Sequence, residues 1–249
     1  MNTIHTGKDY VEAITALHSD RRARSAFQEL VLRVASPGAA LFDFGAGPGI
    51  DARFFAERGF TVDAYDVDPG MSEYFAAHCQ DLIQAGSIAL ETGSYRDFLA
   101  NNAVAGGRRV DLVISNMAPL NLIERLQELF AKFHALTAPD GKVLASVLSP
   151  YFIGDLRYAW WWRNAARLWR AGHFSVPGAQ GPIVRRRVAD FAAQSTPYFT
   201  LERVFRGLPP SSRRHAHGID ATRNGRNAWL HVLTCRFMIL LFQKRKVPQ

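Results

Sequence analysis

The chain is poor in cysteine, has no long apolar run, and is short of acidic residues in its second half. Each scarcity excludes something. Two cysteines, Cys79 and Cys235, in 249 residues provide neither a disulfide framework nor a metal-ligand spacing. Each is expected to be a small core residue, and no metal site is expected. No stretch of about 18 apolar residues occurs, so a membrane-spanning helix is not expected. Residues 1–8 lack the apolar stretch of a signal peptide, and a cytoplasmic setting is the default expectation. Residues 1–149 hold 13 Lys+Arg against 18 Asp+Glu, whereas residues 150–249 hold 17 against 4. The net charge of +8 therefore comes from the second half. Such a field draws in anions: a carboxylate or phosphate acceptor, an acidic carrier protein, RNA or an anionic membrane surface. A solvated basic face would read the same way.

With 48% hydrophobic residues, the chain can bury one large core. Its length suits a single domain, 1–249, with an inserted cap. The most informative run is Leu41-Phe42-Asp43-Phe44-Gly45-Ala46-Gly47-Pro48-Gly49, a buried strand ending in a glycine-rich turn. A helical pattern follows over 50–58. Strand, glycine loop and helix together form a nucleotide-type pocket at the carboxyl end of a parallel strand.

The dinucleotide fingerprint Gly-x-Gly-x-x-Gly would need its third glycine at Ile50. The spacing present is Gly45-x-Gly47-x-Gly49, preceded by Asp43. It resembles motif I of the class I S-adenosylmethionine-dependent methyltransferases. The run 61–66 reads as the next strand and ends in Asp66, 21 residues after Gly45. An acid at about this distance suits the ribose hydroxyls. Asp63 is expected to face solvent, and Asp68 to form a turn before Pro69-Gly70. Residues 87–90 suggest a third strand. A fourth, 110–115, leads into Asn116-Met117-Ala118-Pro119 and resembles the family's motif IV. A helix over about 122–136 follows, then a turn at 137–142 and a fifth strand at 143–148. The last strand lies at 237–242.

The resemblance covers about residues 38–243. It implies an α/β fold with a doubly wound, mostly parallel, seven-stranded Rossmann-like sheet whose last strand is antiparallel. It also implies an N-terminal helical segment (1–36) and a helical lid inserted after the fifth strand (151–195). The implied cofactor is S-adenosylmethionine, leaving as S-adenosylhomocysteine. The implied cofactor contacts are Asp43, Gly45, Ala46, Gly47, Gly49, Asp66, Val67, Met71, Ser94, Tyr95, Asn116, Met117 and Tyr10. At Ser94 the chain departs from the family, which often has an aspartate there.

Four of five tryptophans, Trp160, Trp161, Trp162 and Trp169, fall in a helix predicted to run to about Arg170 and to end at Gly172. Helical spacing predicts one face for Tyr158, Trp161, Trp162, Ala165 and Trp169, and a basic stripe for Arg163, Arg167 and Arg170. Residues 173–182 read as a loop. Tyr151, Tyr158, Trp161, Trp162 and Arg163 are the candidate acceptor contacts. The helix also suits plain packing or interfacial membrane contact.

Methyl transfer from a sulfonium needs alignment above all, and a base only if the acceptor must lose a proton. Of eight histidines, the candidates for a base are His173, His215 and His217; no catalytic residue is otherwise assigned. The resulting expectation is methyl transfer, preferably to oxygen, on a small or carrier-linked anionic acceptor. An RNA methyltransferase would exploit the basic half, but Asn116-Met117-Ala118-Pro119 is not the Asn/Asp-Pro-Pro-aromatic motif of base-amine enzymes, and nucleic acid is the less favoured partner. The same loop also suits an NAD(P)-dependent oxidoreductase, against which Ile50 counts, or a protein that binds the cofactor without catalysis.

Overall fold

The computed structural model describes residues 18–101, 108–178, 181–206 and 234–246. Tyr10, His215, His217 and the tail at 247–249 lie outside the described residues.

The elements run in the order α1 (His18–Val34), β1 (Ala40–Phe44), α2 (Ile50–Ala56), β2 (Thr61–Asp66), α3 (Pro69–His78), α4 (Gln80–Gln84), β3 (Ile88–Thr92), α5 (Tyr95–Ala100) and β4 (Val110–Ser115). A 3₁₀ turn (Pro119–Leu122), α6 (Leu126–Leu136) and β5 (Thr137–Leu148) come next. A second 3₁₀ turn (Ile153–Asp155), α7 (Ala159–Ala171), β6 (His173–Gly178), β7 (Gly181–Arg186), α8 (Val188–Ser195), β8 (Phe199–Arg206) and β9 (Phe237–Lys244) complete the described chain.

Seven strands form one sheet in the order β3-β2-β1-β4-β5-β9-β8. The first five are mutually parallel, and β9 runs antiparallel to both β5 and β8. This is the seven-stranded topology with an antiparallel last strand that the resemblance implies.

The central strands are apolar almost throughout because helices cover both faces of the sheet. The strand period of two sorts their side chains. Phe42, Val113, Val143, Ala145 and Leu240 point into one core with Phe130 and Phe133 of α6 and Phe191 of α8. Leu41, Leu112, Ile114, Leu144 and Leu241 point into the other with Phe27 and Val31 of α1 and Phe55 of α2.

Covering both faces also overturns the expectation for Asp63. It is fully buried, 3.4 Å from the Arg108 guanidinium. Burial raises its pKa and the Arg108 charge opposes that rise. Cys79 is a core residue, its thiol pushed up to about 11 by burial, whereas Cys235 is only half-buried.

The segment after β5 is not purely helical. The expected loop at 173–182 is instead a hairpin, with His173 opposite Arg186 and Gly178 opposite Gly181. α8 packs in the main core through fully buried Phe191. It leads directly into β8. α7 packs on the β6–β7 hairpin through Trp160 and Phe174. β5 also begins at Thr137, because the expected turn pairs Thr137 with Val110 across a register shift.

Candidate functional site

The glycine loop sits where β1 ends. The Gly45 and Ala46 amides donate to the Tyr65 carbonyl at 2.9 and 3.1 Å, so the chain turns sharply above β2. Gly45 has φ 71°, and an added Cβ would lie 2.5 Å from Cβ of Pro119. The backbone and the neighbouring loop together demand glycine there. Gly47, at φ 56°, has open space where its Cβ would be. The loop backbone is bare at that point and approachable by a ligand.

Asp66 ends β2 and braces this loop. One carboxylate oxygen accepts the Gly47 amide at 2.7 Å and the other accepts the Asp68 amide at 2.9 Å. Burial raises its pKa, and these backbone hydrogen bonds pull the other way. Asp68 forms the expected turn and caps α3, accepting the Met71 amide at 3.1 Å. Met71 is buried, whereas Val67, next to Asp66, is 55% exposed.

Asp43 is the most unusual group here. It is 2% exposed, and one of its oxygens has no hydrogen-bond partner among the described residues. Its pKa lies well above the usual carboxylate value, first through burial and then through the Asp51 charge, with Arg24 opposing. A buried carboxylate left unmatched by its own fold is a strong pointer to a ligand group.

Sequence reasoning named Asn116 but missed Asp51, Arg24 and Gln28. Asp51, in the first turn of α2, accepts from Arg24 and Gln28 of α1 and from Asn116 after β4, the last two at 2.7 and 3.0 Å. Arg24 and Asp51 are 27 positions apart, so no local spacing announces the pairing. The only hint in the sequence is an acid in a helix first turn. Asn116 also accepts the Met117 amide at 2.9 Å. Met117 and Ala118 both have positive φ, 62° and 74°. Such conformations are costly in non-glycine residues and cluster at functional sites.

Ser94 caps α5, accepting the Asp97 amide at 3.2 Å. Tyr95 packs its ring against Phe44 and Phe98.

A cavity of about 460 Å³ lies where β5 ends and β9 begins. The parallel strands bring it to the same edge of the sheet as the glycine loop. Phe152, Tyr158 and Phe237 supply apolar walls, Arg157, Arg185 and Arg236 supply positive charge, and Asp20 and Asp155 supply negative charge. Arg185 donates to the Ser149 carbonyl and pairs with Asp155, both at 3.0 Å. Arg236 lies 3.5 Å from Asp20, and Arg157 donates to the Tyr158 hydroxyl at 2.8 Å.

The other candidate acceptor contacts divide. Tyr151 is half-buried and does not line this cavity; its amide donates to the Ser149 hydroxyl at 3.2 Å. The predicted common aromatic face of α7 splits in two. Trp161 is half-buried and donates to the Pro150 carbonyl at 2.8 Å. Trp162 and Trp169 face outward, 62% and 80% exposed, and Arg163 is exposed as well. His173 lies 3.6 Å from Asp190 of α8.

Sheet order, a glycine loop after β1, an acid at the end of β2 and a buried acid within β1 are the marks of a nucleotide-type ligand site. Residues 17–181 match the family described as "Methyltransferase domain". The chain belongs to that family and is a class I S-adenosylmethionine-dependent methyltransferase. S-adenosylmethionine is accordingly its cofactor. No curated protein matches the sequence.

Solved structures share the fold. A TehB-like methyltransferase of Corynebacterium glutamicum is similar over 96% of this chain and 98% of its own, with TM-score 0.58 and 16% identity. The 1,6-didemethyltoxoflavin-N1-methyltransferase of Burkholderia thailandensis matches over 96% and 87%, with TM-score 0.59 and 18% identity. The magnesium protoporphyrin IX methyltransferase of Synechocystis matches over 92% and 88%, with TM-score 0.55 and 17% identity. Among the described residues, no helix is long and apolar enough to cross a membrane.

Proposed function

We propose that this enzyme methylates a small, anionic, aromatic acceptor at oxygen, and that the cavity at the start of β9 holds that acceptor. The carrying observation is the pairing of three arginines with three aromatic side chains in one cavity at the edge of the sheet that bears the glycine loop. Two fold relatives are named as methyltransferases of small molecules, 1,6-didemethyltoxoflavin at N1 and magnesium protoporphyrin IX.

The cofactor supplies a methyl group already activated on a sulfonium. The residues fit it: the bare backbone at Gly47 and the neighbouring Gly45 and Ala46 admit its chain, Asp43 offers an unmatched buried carboxylate for its ammonium, and Asp66 with exposed Val67 suits its ribose and base. Ser94, Asn116 and Met117 border the same site. The protein's own work is alignment and exclusion of water. Arg157 and Arg236 would bind a carboxylate and, by their field, lower the pKa of a phenolic hydroxyl on the acceptor. This lessens the demand for a dedicated base. α7 and the hairpin form the cap over this cavity within a single domain, and a cytoplasmic location follows as part of the reading.

Turnover of a panel of hydroxybenzoic acids against the matching benzamides tests the proposal. The acids are expected to be methylated in preference. Arg157→Gln with Arg236→Gln should raise their KM about tenfold or more, leaving the affinity for S-adenosylmethionine unchanged. Preference for the amides, or an unaltered KM in the double variant, would show that the cavity is not the acceptor site.

A further inference from the structure

α7 leaves two tryptophans exposed among the described residues. Trp162 and Trp169 are 62% and 80% exposed, and large aromatic side chains are normally where burial stabilises most. They are seven residues apart, so they lie on one line along the helix. Arg163 and Arg170 form a second line, about 100° further round, joined by Arg167 one turn on. Exposed Ala159 and Ala166 lie between the two lines, so nothing bulky separates indole from guanidinium.

The opposite side of α7 is already occupied. Leu168 is buried, and Trp160 packs on Phe174 of the hairpin at 6.0 Å between ring centres. The hairpin is in turn fastened to the sheet. Asn121 donates to the Val184 carbonyl at 2.7 Å and accepts the Leu148 amide at 2.9 Å. Buried Arg186 donates to the Ile123 and Glu124 carbonyls at 3.0 and 2.6 Å. The outward face is thus held rigidly. Trp162 is itself fixed, its indole N–H donating to the Leu156 carbonyl at 2.7 Å.

Charge selects the occupant. The charged residues of α7 are Arg163, Arg167 and Arg170, all exposed, and the helix carries neither aspartate nor glutamate. A lone convex ridge about 20 Å long and roughly 10 Å wide falls well short of the ~800 Å² per partner of a stable protein complex. A bilayer demands no complementary shape. Tryptophan and arginine side by side on an amphipathic helix match its interface, rings at the acyl boundary and guanidinium groups on lipid phosphates.

We propose that the outer face of α7 docks the enzyme peripherally on anionic phospholipid membranes. This does not depend on the identity of the methyl acceptor.

Co-sedimentation of the full chain with phosphatidylcholine vesicles, with and without phosphatidylglycerol, tests it. Pelleting is expected only with the anionic vesicles. Trp162→Ser with Trp169→Ser should weaken it by about tenfold or more, and Arg163→Gln, Arg167→Gln and Arg170→Gln together by on the order of a hundredfold. Circular dichroism reports whether the variants fold. Quenching of wild-type tryptophan fluorescence by lipids brominated on the upper acyl chain tests the same contact without mutation. Failure to bind anionic vesicles, or absence of that quenching, would overturn the proposal. Pelleting indifferent to the tryptophan pair would reduce it to general charge adsorption and overturn it too. So would tighter, tryptophan-dependent binding to an RNA oligonucleotide or to polyglutamate, which would make nucleic acid or an acidic protein the partner.

Discussion

At the residue scale, Asp43 sets stability against function. Its carboxylate is buried with one oxygen unmatched and sits near Asp51 and Asp66, whose charges oppose its ionisation. Asparagine keeps the shape and removes the charge. Asp43→Asn is therefore expected to raise the melting temperature, by about 2–4 °C for each kcal/mol relieved in a protein of this size. It should also weaken S-adenosylmethionine binding by about tenfold, through loss of a charge-assisted hydrogen bond. Calorimetry reads both effects, and a lowered melting temperature would mean that Arg24 more than compensates the buried charge. The pH dependence has a definite sign. The folded protein holds this proton above the ordinary value of 3.8, so it binds more protons than the unfolded chain in that window. This contribution to stability is complete below 3.8 and is lost as pH rises through the raised pKa. Asp43→Asn should flatten that part of the stability curve.

At the scale of elements, the hairpin depends on Asn121. This single side chain, 1% exposed, satisfies both the Val184 carbonyl and the Leu148 amide. Asn121→Ala leaves two buried backbone groups without partners, at about 1–3 kcal/mol each. Urea unfolding should register that loss, and hydrogen exchange should quicken in β7. Acceptor KM should rise while cofactor affinity holds, because the glycine loop takes its hydrogen bonds from β2. An equal loss of cofactor affinity would show that cap and cofactor site are one cooperative unit. Strands and helices were largely legible: short apolar runs bounded by turn residues located β1, β2, β4 and the loop after each. The hairpin was not, because Pro177, Gly178, Gly181 and Pro182 read locally as a loop. Only pairing across the turn makes them strands.

At the scale of the molecule, charge is divided between an acidic cofactor half and a basic second half. Long-range attraction of an anionic acceptor should therefore contribute to its capture. Its kcat/KM is expected to fall as salt rises past about 0.1 M, where the Debye length is about 10 Å. A neutral acceptor should show a flat profile over the same range. Parallel declines for both would mean that salt acts on the enzyme and not on the encounter.

The sequence by itself determined six of the sheet's seven strands, all but β8, the glycine loop with Asp43 and Asp66, and the family, because these depend on short-range patterns: apolar runs bounded by turn residues, glycines where φ is positive, an acid at the end of a strand. The tertiary structure alone decided what long-range approach creates. It joined Arg24, Gln28 and Asn116 on Asp51, buried Asp63 between two helical layers, and brought Arg157, Arg185 and Arg236 around one cavity. It also split the tryptophans of α7 into an inner and an outer set. The helical period says which side chains share a face, but which face is covered depends on the element that packs against it, here a hairpin whose strands exist only through their pairing with each other.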